Sequence, residues 1–192
     1  MKFRLALAVA VGALVPLVPA AAQADRYTHA DASGDVYSTV GATGTFAPAP
    51  DRAVGDVISS TVKHKKRTVI LQLAYRDLVN DAEYDAHVFF VRTSKMTRTV
   101  RLVASSADPG GRAIMYKGKK KVSCHVRRHI DYTFNTATVV IPRSCLGKPR
   151  WVKAAMGGVM FTGGTATDTT WIDDALSTGT DGTAVFGPRV FR

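Results

Sequence analysis

The feature that most narrows the fold is an alternation with a period of two. Residues 68–76 read TVILQLAYR, with Val69, Leu71, Leu73 and Tyr75 at every second position. Only an extended chain puts alternate side chains on one face, so this segment is a half-buried β-strand. Similar runs recur at intervals of about ten residues, separated by turn residues. Residues 57–64 lead into the first run across the charged turn Lys65-Lys66, making a hairpin. Residues 85–93 (DAHVFFVRT) are the most apolar and read as a central strand, followed by residues 98–105. Asp108-Pro109-Gly110-Gly111 is a turn signal. Residues 112–116 and 121–127 read as a hairpin around Gly118, and 130–134 with 137–141 as another around Asn135-Thr136. Residues 150–161 form a long final strand, bent at Gly157-Gly158. Residues 39–54 and 163–182 lack the pattern and read as loops; residues 185–192 regain apolar character and should pack on the sheet.

No long helical periodicity alternates with these runs, which argues against a parallel α/β sheet. The acidic residues agree: of fifteen, only Glu83 is Glu, and Asp favours turns over helix interiors. The expected architecture is all-β, a single antiparallel β-sandwich of jelly-roll or immunoglobulin type with about eight or nine strands.

The first 24 residues carry a different message. Lys2 and Arg4 precede an apolar run broken by Pro16 and Pro19, and Ala22-Gln23-Ala24 offers small residues for a signal peptidase. The expectation is an exported protein cleaved near Ala24, leaving 192 − 24 = 168 residues as one domain, residues 25–192. No later stretch is apolar and long enough to span a bilayer. Without Lys2 and Arg4 the side chains count 24 basic and 15 acidic, a net +9, which attracts polyanions. Cys124 and Cys145 form an even pair in an exported chain and are expected to be disulfide-bonded, closing a loop worth about 3 kcal/mol. Pro142 should end the strand before Cys145, and residues 143–147 should be a one-turn connection pinned by the bridge.

Asp31-Ala32-Ser33-Gly34-Asp35-Val36, Gly55-Asp56-Val57, His64, Tyr75-Arg76-Asp77-Leu78 and the run Val140 to Pro149 form one pattern. It resembles small exported actinobacterial proteins of unassigned function across most of residues 25–192. More distantly, the Asp-rich start before a hairpin is similar to β-sandwich modules of the DOMON and family-9 carbohydrate-binding type. That likeness implies a sandwich with an extracellular binding role and carries over no catalytic residue.

Three groups are candidate sites. Asp31, Asp35, Asp51 and Asp56 offer hard oxygen ligands for structural calcium, although their spacing matches no EF-hand and Asp beside Gly is ordinary turn chemistry. Lys117, Lys119, Lys120, Lys121, Arg127 and Arg128, with Tyr116 able to stack, would gather on a hairpin tip able to hold an anionic polymer. The alternative is a solvated hairpin whose lysines guard an edge strand. Trp171, read in a polar loop, is either a stacking platform for a sugar or an anchor for its loop. His125 and His129 lie about 13 Å apart in an extended strand, too far for one metal ion. The acid pairs Glu83/Asp85 and Asp173/Asp174 suit glycosidase chemistry in principle, but turn placement explains them more simply. No nucleophile elbow, zinc-protease motif or phosphate loop occurs.

The functional expectation is a secreted, monomeric, non-catalytic binding module for an anionic or glycan component of the cell envelope or surroundings, with no specific nucleic-acid partner and no cofactor beyond that calcium. A secreted hydrolase and an inhibitor presenting loops are the alternatives.

Overall fold

A computed structural model describes residues 25–41, 44–80, 84–162, 169–177 and 184–192. The proposed signal segment and Glu83 lie outside the described residues. The chain forms β1 (Arg26–Ala30), β2 (Tyr37–Val40), β3 (Ala47–Pro48), β4 (Val57–His64), β5 (Thr68–Tyr75), β6 (Tyr84–Arg92) and β7 (Thr97–Ser105). It continues through β8 (Asp108–Lys117), β9 (Lys120–Val122), β10 (Arg127–Asp131), β11 (Thr136–Pro142), β12 (Trp151–Thr162), β13 (Thr169–Asp174) and β14 (Val190–Phe191). One single-turn helix, Arg143–Leu146, interrupts the strands.

The strands make an antiparallel β-sandwich. One sheet has five strands in the order β1-β4-β5-β11-β10. The other has nine, ordered β3-β2-β13-β12-β6-β7-β8-β9, with β14 also on β12. The alternation read from the sequence sets the core. Val69, Leu71, Leu73, Ala137, Val139 and Ile141 of the five-stranded sheet meet Phe89, Val91, Val100, Leu102, Met115 and Met156 of the nine-stranded sheet. All lie in one buried cluster, the arrangement that removes most apolar area from water.

The strands exceed the expected number because several short ones sit where the sequence pattern was weak. Residues 39–54 were expected to be loop, yet β2 runs into this stretch as far as Val40, and β3 lies within it and pairs back to Tyr37 and Ser38. Residues 163–182 hold β13, whose Thr169–Asp174 run pairs with β12 on one side and β2 on the other. Asp108-Pro109-Gly110-Gly111 is not a turn. The turn is Ser106-Ala107, and β8 starts at Asp108 beyond a register shift against β7. Pro109 is tolerated because β9 reaches only Met115 to Lys117, so this end of β8 carries no second strand. Tyr132 Oη donates to Pro109 O at 3.0 Å and Arg128 Nε to Gly110 O at 3.1 Å along that edge.

Two crossings tie the sheets together at one place. The chain leaves the nine-stranded sheet after β9 and joins the other at β10, and Cys124 lies in this connection rather than in a strand. It returns through the single-turn helix between β11 and β12, where Cys145 sits. Pro142 closes β11, and Gly147, at φ 73°, ends the turn in a left-handed conformation that suits glycine. The buried Arg143 guanidinium donates to Lys66 O at 2.9 Å and to Pro149 O, securing both flanks. The Cys124–Cys145 disulfide joins the two crossings with Cα atoms 6.0 Å apart. As expected, the tail packs on the sheet: Val190 pairs with Val152, and Gly187 N donates to Ala154 O at 2.9 Å.

Candidate functional site

Strand β6 shows how the nine-stranded sheet makes a site. Its inward residues Asp85, His87, Phe89 and Val91 are buried. Its outward residues Tyr84, Ala86, Val88 and Phe90, which an outer strand face would normally make polar, are all apolar or aromatic. Neighbouring strands continue this face with Val159 and Phe161 of β12, Ile172 of β13 and Tyr116 of β8. Together they line a groove of about 780 Å³, within the range of about 300–1,000 Å³ usual for small-ligand sites. Tyr84 and Phe161 meet edge to face at 5.4 Å between ring centres.

The groove has a charge at each end. In register, Asp174 pairs with Gly157, Gly157 with Val88, and Val88 with Arg101. One row across four strands therefore runs from a carboxylate over an apolar floor to a guanidinium. Asp35 and Asp173 join Asp174 at the acidic end, and Lys119 joins Arg101 at the basic end. The Arg101 guanidinium lies 5.4 Å from the Tyr116 ring centre. Gly157 lets β13 approach β12 closely at this point of the row: a Cβ there would lie 2.5 Å from Asp173 O and 3.1 Å from Asp174 Cβ.

Beneath the acidic end, Asp31, Asp35 and Asp173 bring one carboxylate oxygen each within 4.8 Å of one another. Burial, then the neighbouring carboxylates, push Asp173 up to about 8 even though its Oδ2 accepts Val57 N at 2.6 Å. Burial and Asp35 likewise push Asp31 up to about 7, and burial followed by Asp56 raises Asp35. Asp31 Oδ2 and both Asp35 oxygens find no partner among protein atoms. Such a set either shares protons or holds a hard cation. Calcium takes about six to eight oxygen ligands, so these side chains fit part of its shell.

Deeper between the sheets, the Tyr75 hydroxyl and His87 Nδ1 share a hydrogen bond of 2.7 Å. Burial pushes His87 down to about 4, so the imidazole is neutral at that bond. Gly158 makes room for the phenol, since a Cβ there would lie 3.1 Å from the Tyr75 hydroxyl.

The structure brings together only some of the residues singled out in the sequence. Asp31 and Asp35 meet, but Asp51 is exposed and outside the cluster, and its carbonyl accepts Arg76 Nη2 at 3.3 Å. Asp56 is buried and paired with Arg76 at 3.1 Å, and it also accepts Gly34 N at 2.9 Å. The third member of the cluster is Asp173. It was legible only as one of two adjacent acids; the β-forming run Thr-Thr-Trp-Ile before it was the signal for a strand. The expected basic hairpin is divided. Lys117, Lys119, Lys120 and Lys121 are exposed around the β8–β9 turn, whereas Arg127 and Arg128 open β10 in the other sheet. Arg128 is engaged with the β8 backbone at Gly110 and Gly111. Trp171 is not in a loop but in β13, half-buried against the core, with the Arg52 guanidinium 4.2 Å from its ring centre. It anchors the strand and does not line the groove. Sequence reasoning missed the groove itself, because a strand that is apolar on both faces reads simply as central.

No helix among the described residues is long and apolar enough to cross a membrane. Comparison with known proteins gives no matching family model, no matching curated protein and no matching solved structure.

Proposed function

We propose that the chain is an exported, non-catalytic binding module that holds an anionic or glycan component of the envelope or surroundings in the outer groove of the nine-stranded sheet. The observation that carries this reading is the apolar outward face of β6, continued by Val159, Phe161 and Ile172 and flanked by Arg101 and Lys119. A flat apolar floor suits the carbon face of a sugar ring or an aliphatic body, and the basic end suits an acidic substituent. The lysines around the β8–β9 turn extend the positive field beyond Lys119 and would speed encounter with anions.

The test is a screen of acidic and neutral glycans against the protein, followed by titration of the best binder with Phe90→Ala, Arg101→Gln and the triple variant Lys117→Ala, Lys120→Ala, Lys121→Ala. Loss of affinity in the first two, with only weakened salt dependence in the third, supports the groove. Full affinity in Phe90→Ala and Arg101→Gln, with loss in the lysine variant, would move binding to the hairpin tip and overturn the reading.

A further inference from the structure

Resting on the groove as the binding site but going beyond an anion or glycan as its occupant, we propose that the ligand is dipolar: an apolar body with an ammonium group at the Asp174 and Asp35 end and a carboxylate or other anion at the Arg101 and Lys119 end. An apolar cleft alone would accept many bodies, and one basic rim would accept any anion. Here opposite charges stand at opposite ends of one row of paired residues, Asp174–Gly157–Val88–Arg101.

The span follows from the sheet. The row crosses from β13 to β7, three strand spacings, or about 14 Å. A chain of about four extended residues covers that distance. Between the charges the floor offers Val88, Phe90, Val159 and Ile172, so the body that fits is apolar. Arg101 is exposed, with its guanidinium beside Tyr116, ready for a bidentate contact. At the other end Asp174 and Asp35 line the groove, and Asp174 Oδ1 accepts Leu176 N at 3.1 Å, which holds that carboxylate in place. A ligand ammonium group there meets an acidic rim and makes a charge-assisted contact. The shared chemistry, a terminal amine and a terminal acid about 14 Å apart, belongs both to short apolar peptides and to long ω-amino acids.

Calorimetric titration separates these sources and tests the charges. The probes are the free peptide Ala-Leu-Val-Ala, its N-acetylated and C-amidated forms, ω-aminododecanoate and the shorter ω-aminohexanoate. The expected result is that blocking either end weakens peptide binding about tenfold or more, since a charge-assisted contact is lost each time. Asp174→Asn should abolish the effect of acetylation but not of amidation, and Arg101→Gln the reverse. Binding of ω-aminododecanoate but not ω-aminohexanoate would show that spacing alone is read; binding of the peptide alone would show that its amides are read as well. If acetylation and amidation change nothing while Phe90→Ala still removes binding, the groove stands and the dipolar ligand is overturned. If Phe90→Ala affects no probe and no glycan, the groove reading itself falls.

Discussion

The two sheets share one core yet differ on the sides they turn to solvent. The outward residues of β5 and β11 in the five-stranded sheet mix Thr68, Gln72, Ala74, Thr136 and Thr138 with Ile70, Val140 and Pro142, and none of them is aromatic. Those of β6 and β12 in the nine-stranded sheet include Tyr84, Val88, Phe90, Val159 and Phe161. Burying the inner faces requires the same alternation in both, so the fold is indifferent to which sheet carries the apolar exterior. A sheet side that stays apolar where the core does not need it points to a ligand.

Phe89 and Phe90 are neighbours on β6 and put the comparison most sharply. Phe89 is 0% exposed in the core, so Phe89→Ala should cost about 3–5 kcal/mol in urea denaturation. Phe90→Ala should cost about 1 kcal/mol or less and act on binding instead. Equal losses would mean the groove is merely a second core. Next in size, replacing both Cys124 and Cys145 by Ser should cost about 3 kcal/mol, with hydrogen exchange rising first at the crossings between the sheets. Tyr75→Phe should cost about 1–3 kcal/mol by leaving the buried His87 Nδ1 without its partner.

A smaller effect depends on pH and separates the acidic end of the groove from the rest. Asp31 and Asp173 titrate at about 7 and 8 when folded, above their ordinary 3.8. Their contribution is complete below 3.8 and is lost as pH rises through 7 and 8. His87 acts in the opposite sense below 6.5, because its folded value is depressed to about 4 and the unfolded state takes up protons first. The clean window is therefore between pH 6.5 and 8, where Tm should fall. Asp173→Asn should flatten that fall. Calcium at pH 8 that raises Tm in the native protein but not in Asp173→Asn would assign the cluster to a cation, and an unchanged Tm would assign it to protons. The smallest effect is expected from Ile70→Thr on the outward face of β5: a stability change within about 0.5 kcal/mol and unchanged binding.

Much of the sandwich was legible because long strands announce themselves through alternation, as in β5 and β11. The short strands β2 and β13 were not, since Tyr37–Val40 and Thr169–Asp174 lie among Gly and Thr and pair with each other across more than 120 residues of sequence. The site followed the same division. Asp31 and Asp35 were visible because they lie close together in the chain. Their joining with Asp173 depends on β13 and β1 being brought near each other by the fold, which no local pattern encodes. Arg127 and Arg128 were misplaced because the chain changes sheets between Val122 and Arg127, and a run of positive charge carries no sign of such a crossing.

The position of the sulfur pair has a consequence for the life of the molecule. It works as a staple through two pages, since each half sits where the polypeptide passes from one layer to the other. Thiol-rich surroundings would loosen both of these hand-overs in a single chemical event, while the chain's other passages between the layers and their common interior would still hold the layers together.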